Sequence, residues 1–226
     1  MNVQQETYSS GKLDEACSLL FDASFLEAYA AATKLLGVCF AYSPKEGAAS
    51  RALAAIRAMD VAADWPFGEG GTLANAASLI EKGVDENPAE LAEEYQRLFV
   101  GPRHLAAPPW GSVYMDHDKV LYGCTWVELR DWMRARGVNA EYDEHVPEDQ
   151  IGRLLVMSAE VAREKIGVLP ELLGNHILPW AGHYFDLLAG EARSATYEGL
   201  ALLAKATLDD TQSLLGIAPA KRRLYR

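Results

Sequence analysis

The 226-residue chain is acidic, with 21 Lys and Arg against 32 Asp and Glu and a formal net charge of −11. That balance repels phosphate backbones and anionic membranes, which makes nucleic acid a poor partner and a cationic peptide or protein a better one. Half of the residues are hydrophobic and 23% are charged, the composition of an ordered globular protein that can bury a substantial core.

The opening stretch, MNVQQETYSSGKLDE, lacks the basic and apolar regions of a signal peptide. No unbroken apolar run of about 18 residues follows it, and Cys17, Cys39 and Cys124 form no CxxC pair. A reduced cytoplasmic protein without integral membrane association is the expectation. From Leu13 to Phe40 the Ala- and Leu-rich pattern predicts one long helix, or two that break between Asp22 and Ser24. Ser43-Pro44-Lys45-Glu46 reads as a capping box, followed by a helix whose inner face carries Ala49, Leu53 and Ile56. Ala63 to Gly71 reads as a loop, with Trp65 and Phe67 packed on the core rather than marking a site. Thr72 to Lys82 predicts a further helix. Asn87-Pro88-Ala89-Glu90 repeats the capping pattern, and Leu91, Tyr95 and Leu98 then share one face.

Gly101-Pro102 must end that helix. The apolar run from there to Gly123 is punctuated by proline and glycine, which predicts a non-helical segment with a short hairpin turning at Asp116-His117-Asp118-Lys119. Thr125-Trp126-Val127-Glu128 reads as a third capping box. Trp126, Leu129 and Met133 share the face behind it, and Gly137 stops that helix. After a polar linker, Asn139 to Val146, Pro147-Glu148-Asp149-Gln150 opens another helix, with its two acids in the first turn where the dipole favours them. Later helices cover Leu169 to His176, Trp180 to Ala189 and Thr196 to Leu208. No period-2 strand appears. The fold expected is all-α, a single globular helical domain of roughly eight to twelve helices. Its N-terminal helical half runs to about residue 100, and its C-terminal half from about 101 to 226.

Enzyme chemistry finds no local support. His104, His117, His145, His176 and His183 show no HxxxH or HExxH spacing, and the chain has neither a GxSxG elbow nor a GxxxxGK[ST] loop. Glu148 and Asp149 invite an acid/base reading, but neighbours on a helix diverge by about 100° and acids at a helix start are commonly structural. Pro108-Pro109-Trp110-Gly111 has two readings. It is either a core plug with Tyr114, or a rigid, partly exposed ledge bordering a hydrophobic groove.

Four segments, EYQRLFVGPRHLAAPPWGSVYMD, VLYGCTWVELRDWMRARGV, PEDQIGRLLVMSAEVA and HILPW, occur in the order found in the TorD/DmsD/NarJ group, which they resemble. The resemblance spans about Leu91 to Leu203, and its RLFVGP…PPWGSVY run is most like the DmsD branch. It implies an all-helical cytoplasmic chaperone for molybdenum-containing reductases. Such a protein binds the twin-arginine leader of a reductase precursor, has no catalytic activity, cofactor or metal, and is a monomer or dimer. On that expectation Tyr95, Leu98, Pro109, Trp110 and Tyr114 contact the leader's apolar stretch, while Glu148 and Asp149 attract its arginines. Two departures stand out. Gln150 occupies a position where the family commonly has histidine, and an amide cannot become cationic. Arg103 stands where close relatives often carry an aromatic. Two other classes stay open: a helical enzyme with a carboxylate/histidine site assembled in space, and a structural helical subunit.

Overall fold

In the computed structural model, the described residues are 18, 22–101, 105–139 and 146–226. They form α1 (Ala23–Ala41), α2 (Gly47–Ala58), α3 (Val61–Asp64), α4 (Gly70–Lys82) and α5 (Pro88–Tyr95), which widens into a π-turn, Gln96–Val100. There follow α6 (Gly111–Met115), α7 (Cys124–Arg136), α8 (Ile151–Glu164) and α9 (Leu169–Leu172). A second π-turn, Leu173–Ile177, leads into α10 (Leu178–Glu191), and α11 (Ala195–Leu214) completes the set. Among the described residues the only β-type pairing is an isolated antiparallel bridge, Trp110 to Gln150. The fold is all-α, as the sequence predicts. Cys17, Arg103, His104, His145 and most of the expected linker lie outside the described residues.

The core is built on the crossing of α1 and α8, with α11 packed between α4 and α10. Tyr29, Leu36 and Phe40 of α1, Ile151, Leu154 and Leu155 of α8, and Trp180, Tyr184 and Phe185 of α10 are all buried in one continuous cluster. Each such side chain contributes about 1.5–3 kcal/mol by leaving water. The α1–α8 approach depends on two glycines. A Cβ on Gly37 would lie 2.6 Å from the Gly152 carbonyl oxygen, and one on Gly152 would lie 2.5 Å from the Ala41 nitrogen. By length and composition α1 matches a membrane-crossing helix, but half of the matching window is buried against the rest of the protein. It is the central core helix.

Local caps explain several boundaries. Asp22 accepts from the Ser24 and Phe25 amides and starts α1 at the expected break. Asn87 accepts from the Ala89 amide ahead of α5. Gly137, at φ 60°, ends α7 in the left-handed conformation, and the Val138 amide reaches back to the Met133 carbonyl. The faces predicted for Ala49, Leu53 and Ile56, and for Leu91, Tyr95 and Leu98, are buried, as are Trp65 and Phe67.

Three local expectations are corrected. The Ser43 box forms, with the Ser43 amide donating to Glu46 Oε1 at 3.0 Å, but it closes a turn and α2 begins only at Gly47. The Thr125 box does not form, because α7 starts one residue earlier and Asp116 supplies the acceptor. Asp116 Oδ1 accepts the Thr125 amide at 3.1 Å and Oδ2 accepts the Thr125 hydroxyl at 3.0 Å. Gly123 lets that carboxylate in, since a Cβ there would sit 1.9 Å from Asp116 Oδ2. Finally, the segment read as non-helical contains α6, and residues 116–119 form a turn after it rather than a hairpin.

Candidate functional site

The two prolines before Trp110 have no N–H to donate, and the chain enters α6 extended at Trp110, which provides no side-chain cap. The first amides of α6 therefore need an acceptor from elsewhere. It comes from the turn ahead of α8. The Gly111 amide donates to the Asp149 carbonyl at 3.1 Å, and the Ser112 amide donates to Asp149 Oδ2 at 2.7 Å. In return the Ile151 amide donates to the Pro109 carbonyl at 2.8 Å. Two segments nearly forty residues apart in sequence are thus clasped together, and the aromatic ledge is fixed by the acidic turn.

Glu148 and Asp149 do not lie in the first turn of α8. Gln150 is its N-cap, and its Oε1 accepts the Arg153 amide at 2.9 Å while its Nε2 donates to the Phe40 carbonyl at 2.9 Å. The glutamine amide does both at once while buried. Asp149 is 4% exposed, and burial pushes its carboxyl up to about 6, against the opposing pull of the Ser112 N–H. Glu148 stays partly accessible, with 21% of its side chain exposed. Its Oε2 accepts the Trp126 indole N–H at 2.7 Å, and its Oε1 lies 3.4 Å from Arg130 Nε. The Arg130 guanidinium also sits over the Trp126 ring at 5.1 Å.

Of the seven residues singled out in the sequence, the clasp gathers Pro109, Trp110, Tyr114, Glu148 and Asp149. Trp110 is half-buried at its edge. Tyr114 is fully buried, stacked on Trp180 at 5.4 Å with Tyr184 edge-on at 6.1 Å. Tyr114 plugs the core, and Trp110 borders the surface. Tyr95 and Leu98 are core residues rather than part of an exposed wall. Tyr95 stacks on Phe99 at 5.0 Å, and Phe99 in turn contacts Tyr197. Around the clasp, Trp110 Nε1 and the Tyr114 hydroxyl are buried without a hydrogen-bond partner among the described residues.

Sequence reasoning missed an apolar strip beside this clasp. Val120, Leu121, Tyr122 and Val127 are all 40–48% exposed. Lys119 and Tyr122 hold the strip in left-handed backbone, at φ 54° and 62°, and Tyr122 packs edge-on against Trp126 at 5.0 Å. The only signal available beforehand was the run of apolar residues after the Asp116 turn, which fits a buried strand equally well. Among the described residues no histidine joins Glu148 and Asp149. His117 lies exposed beside Asp118, while His176 is buried against Trp132. Among the described residues no three His, Cys, Asp or Glu side chains are grouped to hold a metal.

Comparison with known proteins places the clasp inside a recognised sequence pattern. The family described as nitrate reductase delta subunit matches residues 65–186. The Tat proofreading chaperone DmsD of Salmonella typhimurium is 34% identical over 199 residues, covering 88% of this chain and 96% of the relative, and that of Salmonella typhi matches to the same extent. A crystal structure from Archaeoglobus fulgidus, described as a candidate redox enzyme maturation protein, superposes with a TM-score of 0.51 at 17% identity. It covers 77% of this chain and 91% of that one, a likeness of fold.

Proposed function

The chain belongs to the nitrate reductase delta subunit family, and from that membership we propose a Tat proofreading chaperone. In this reading the protein binds the twin-arginine leader of a molybdenum-containing oxidoreductase precursor in the cytoplasm and assists its maturation before export. It acts by binding rather than by catalysis.

The observation that carries the reading is the clasp itself. A rigid proline-flanked ledge ends in a half-buried tryptophan, a partly accessible carboxylate lies beside it, and an exposed apolar strip adjoins it. A leader brings an Arg-Arg pair and an apolar stretch. An incoming guanidinium would compete with Arg130 for Glu148, where a bidentate fork is favoured over a single contact. The apolar stretch would lie against Trp110 and the Val120–Val127 strip, burying surface that is now wet. Pro109, Tyr114 and Asp149 would hold the ledge in place, with Tyr95 and Leu98 as the packed wall behind it.

The test is the affinity of a leader peptide for the wild type and for Trp110→Ala and Glu148→Gln. Each substitution should weaken binding by about tenfold, or about 1.4 kcal/mol, and Glu148→Gln should also flatten the salt dependence. Affinity retained by both variants within about threefold would put the binding surface elsewhere.

A further inference from the structure

Two arginines of this protein fork onto carboxylates. Arg97 donates to Glu94 through Nε and Nη2 at 2.7 Å each, and Arg136 donates to Glu171 through the same two nitrogens at 2.9 Å each. Arg130 does not fork. Its ion pair with Glu148, Nε to Oε1, spans 3.4 Å, beyond the length of a charge-assisted hydrogen bond, and its side chain is 45% exposed. The surroundings of that guanidinium are nonetheless shaped for a cation. Trp126 and Arg130 stand four residues apart on α7, so they share a face, and the guanidinium carbon lies 5.1 Å from the centre of the Trp126 ring. The indole is itself fixed in place. Its N–H donates to Glu148 Oε2 at 2.7 Å, and Tyr122 packs edge-on against it at 5.0 Å. Glu148 thus holds the ring with one oxygen and turns the other toward the guanidinium.

An aromatic ring with a carboxylate at its edge recognises a guanidinium, which stacks flat on the ring while donating in its own plane; an ammonium does the first less well. We propose that Tyr122, Trp126 and Glu148 form a guanidinium-binding box, that Arg130 is its resident occupant, and that an arginine of a bound leader displaces it. This rests on the leader-binding reading and adds to it an arginine subsite with a built-in competitor. Val120, Leu121 and Val127 flank Tyr122 and Trp126 in the sequence, so exposed apolar surface lies next to the box for the residues that follow an arginine. Arg130 gives up only a loose, exposed contact and returns to water, and no buried charge is left unpaired. A surface ion pair together with a cation–π contact at this exposure favours the occupied box by about three- to tenfold. Only molecules with Arg130 swung out accept the leader's arginine, so the apparent leader affinity falls by about the same factor. The leader wins the exchange because its arginine is free to fork onto Glu148 and its apolar stretch adds contacts that a side chain of α7 cannot make.

Two variants test this. Arg130→Ala removes the occupant, and Arg134→Ala removes the same charge one turn further along α7, where it pairs with Asp131. Leader peptide is titrated into both and into wild type, with thermal unfolding as the check of folding. Arg130→Ala should bind leader about three- to tenfold more tightly than wild type, and Arg134→Ala should match wild type within about twofold. The box itself is probed with acetyl-Arg-Arg-amide, read by NMR at the indole N–H signal of Trp126, which Trp126→Phe identifies among the five tryptophans. The probe should shift that signal in Arg130→Ala, and acetyl-Lys-Lys-amide at the same concentration should shift it less. If Arg130→Ala does not fold, Arg130→Gln carries the same measurements. Leader affinity in the Arg130 variant equal to or weaker than that of wild type overturns the proposal, as does an equal gain in Arg134→Ala. So does a Trp126 signal that the Arg-Arg probe leaves unmoved or that both probes move alike. In each of these cases leader binding by wild type leaves the chaperone reading intact. Absence of leader binding in every chain fails the chaperone reading. A Trp126 shift larger with the Arg-Arg probe than with Lys-Lys then still upholds the guanidinium box, and its absence overturns it.

Discussion

Asp149 offers the sharpest physical test of the clasp, because the carboxylate that holds α6 in place does so at a cost. Burial raises its pKa from the ordinary 3.8 to about 6, so between those values the folded chain keeps a proton that the unfolded chain has released. Stability contributed by this group is therefore full below about pH 4 and is lost as pH rises through 6. A shift of about two units corresponds to about 3 kcal/mol. Asp149→Asn keeps an oxygen for the Ser112 amide and removes the buried charge. Allowing about 1 kcal/mol for imperfect amide placement, the variant should be more stable than wild type by about 2 kcal/mol at pH 7.5 and no more stable at pH 4. Urea unfolding of both proteins across pH 4 to 8 reads this directly, since the difference between them cancels every other titrating group. A difference that does not vary with pH, or one that favours the aspartate at pH 7.5, would refute the account of the clasp.

Other expectations follow from the same structure. Burial lowers the His176 pKa to about 4, so below pH 6.5 the unfolded chain takes up a proton that the folded chain refuses. The stability contributed by His176 should fall by about 3 kcal/mol as pH drops from 6.5 to 4, so wild type should lose about that much relative to His176→Gln in the same urea series. A difference between the two that does not change over this range would show that the buried imidazole is not the acid-sensitive group. Gly37→Ala places a Cβ 2.6 Å from the Gly152 carbonyl oxygen and 2.8 Å from the Val156 amide nitrogen, both backbone atoms that cannot swing aside. It should cost about 1–3 kcal/mol and lower the Tm by about 2–4 °C for each kcal/mol. A Tm unchanged to within about 1 °C would mean that the α1–α8 crossing is looser than described.

What the sequence disclosed, and what it hid, divides along the range of the interactions. Asn87 and Gly137 act on atoms within a few residues of themselves, so their caps were legible in the residue order. Core faces such as Ala49, Leu53 and Ile56 were legible for the same reason, because helical periodicity alone places them. The caps that failed depend on partners out of local reach. Thr125 has the composition of a capping box but yields to Asp116, nine residues earlier, and Ser112 takes its acceptor from Asp149, thirty-seven residues later. α6 was missed because five residues are too few for a period to show and its neighbours are prolines. The motif order drew attention to Trp110 and Glu148, but not to the burial of Tyr95, Leu98 and Asp149 or to the exposed strip at Val120–Val127. Exposure is a property of the packed whole, and no pattern in a single segment records it.

The most direct test of leader recognition is a calorimetric titration of the full chain with a twin-arginine leader peptide, run beside the same peptide carrying two lysines. Saturable binding with a Kd of order micromolar, or about −8 kcal/mol, is the predicted result. It should weaken as salt is raised and weaken further with lysine in place of arginine. No saturable heat with any such leader at peptide concentrations up to about 500 μM would contradict the account.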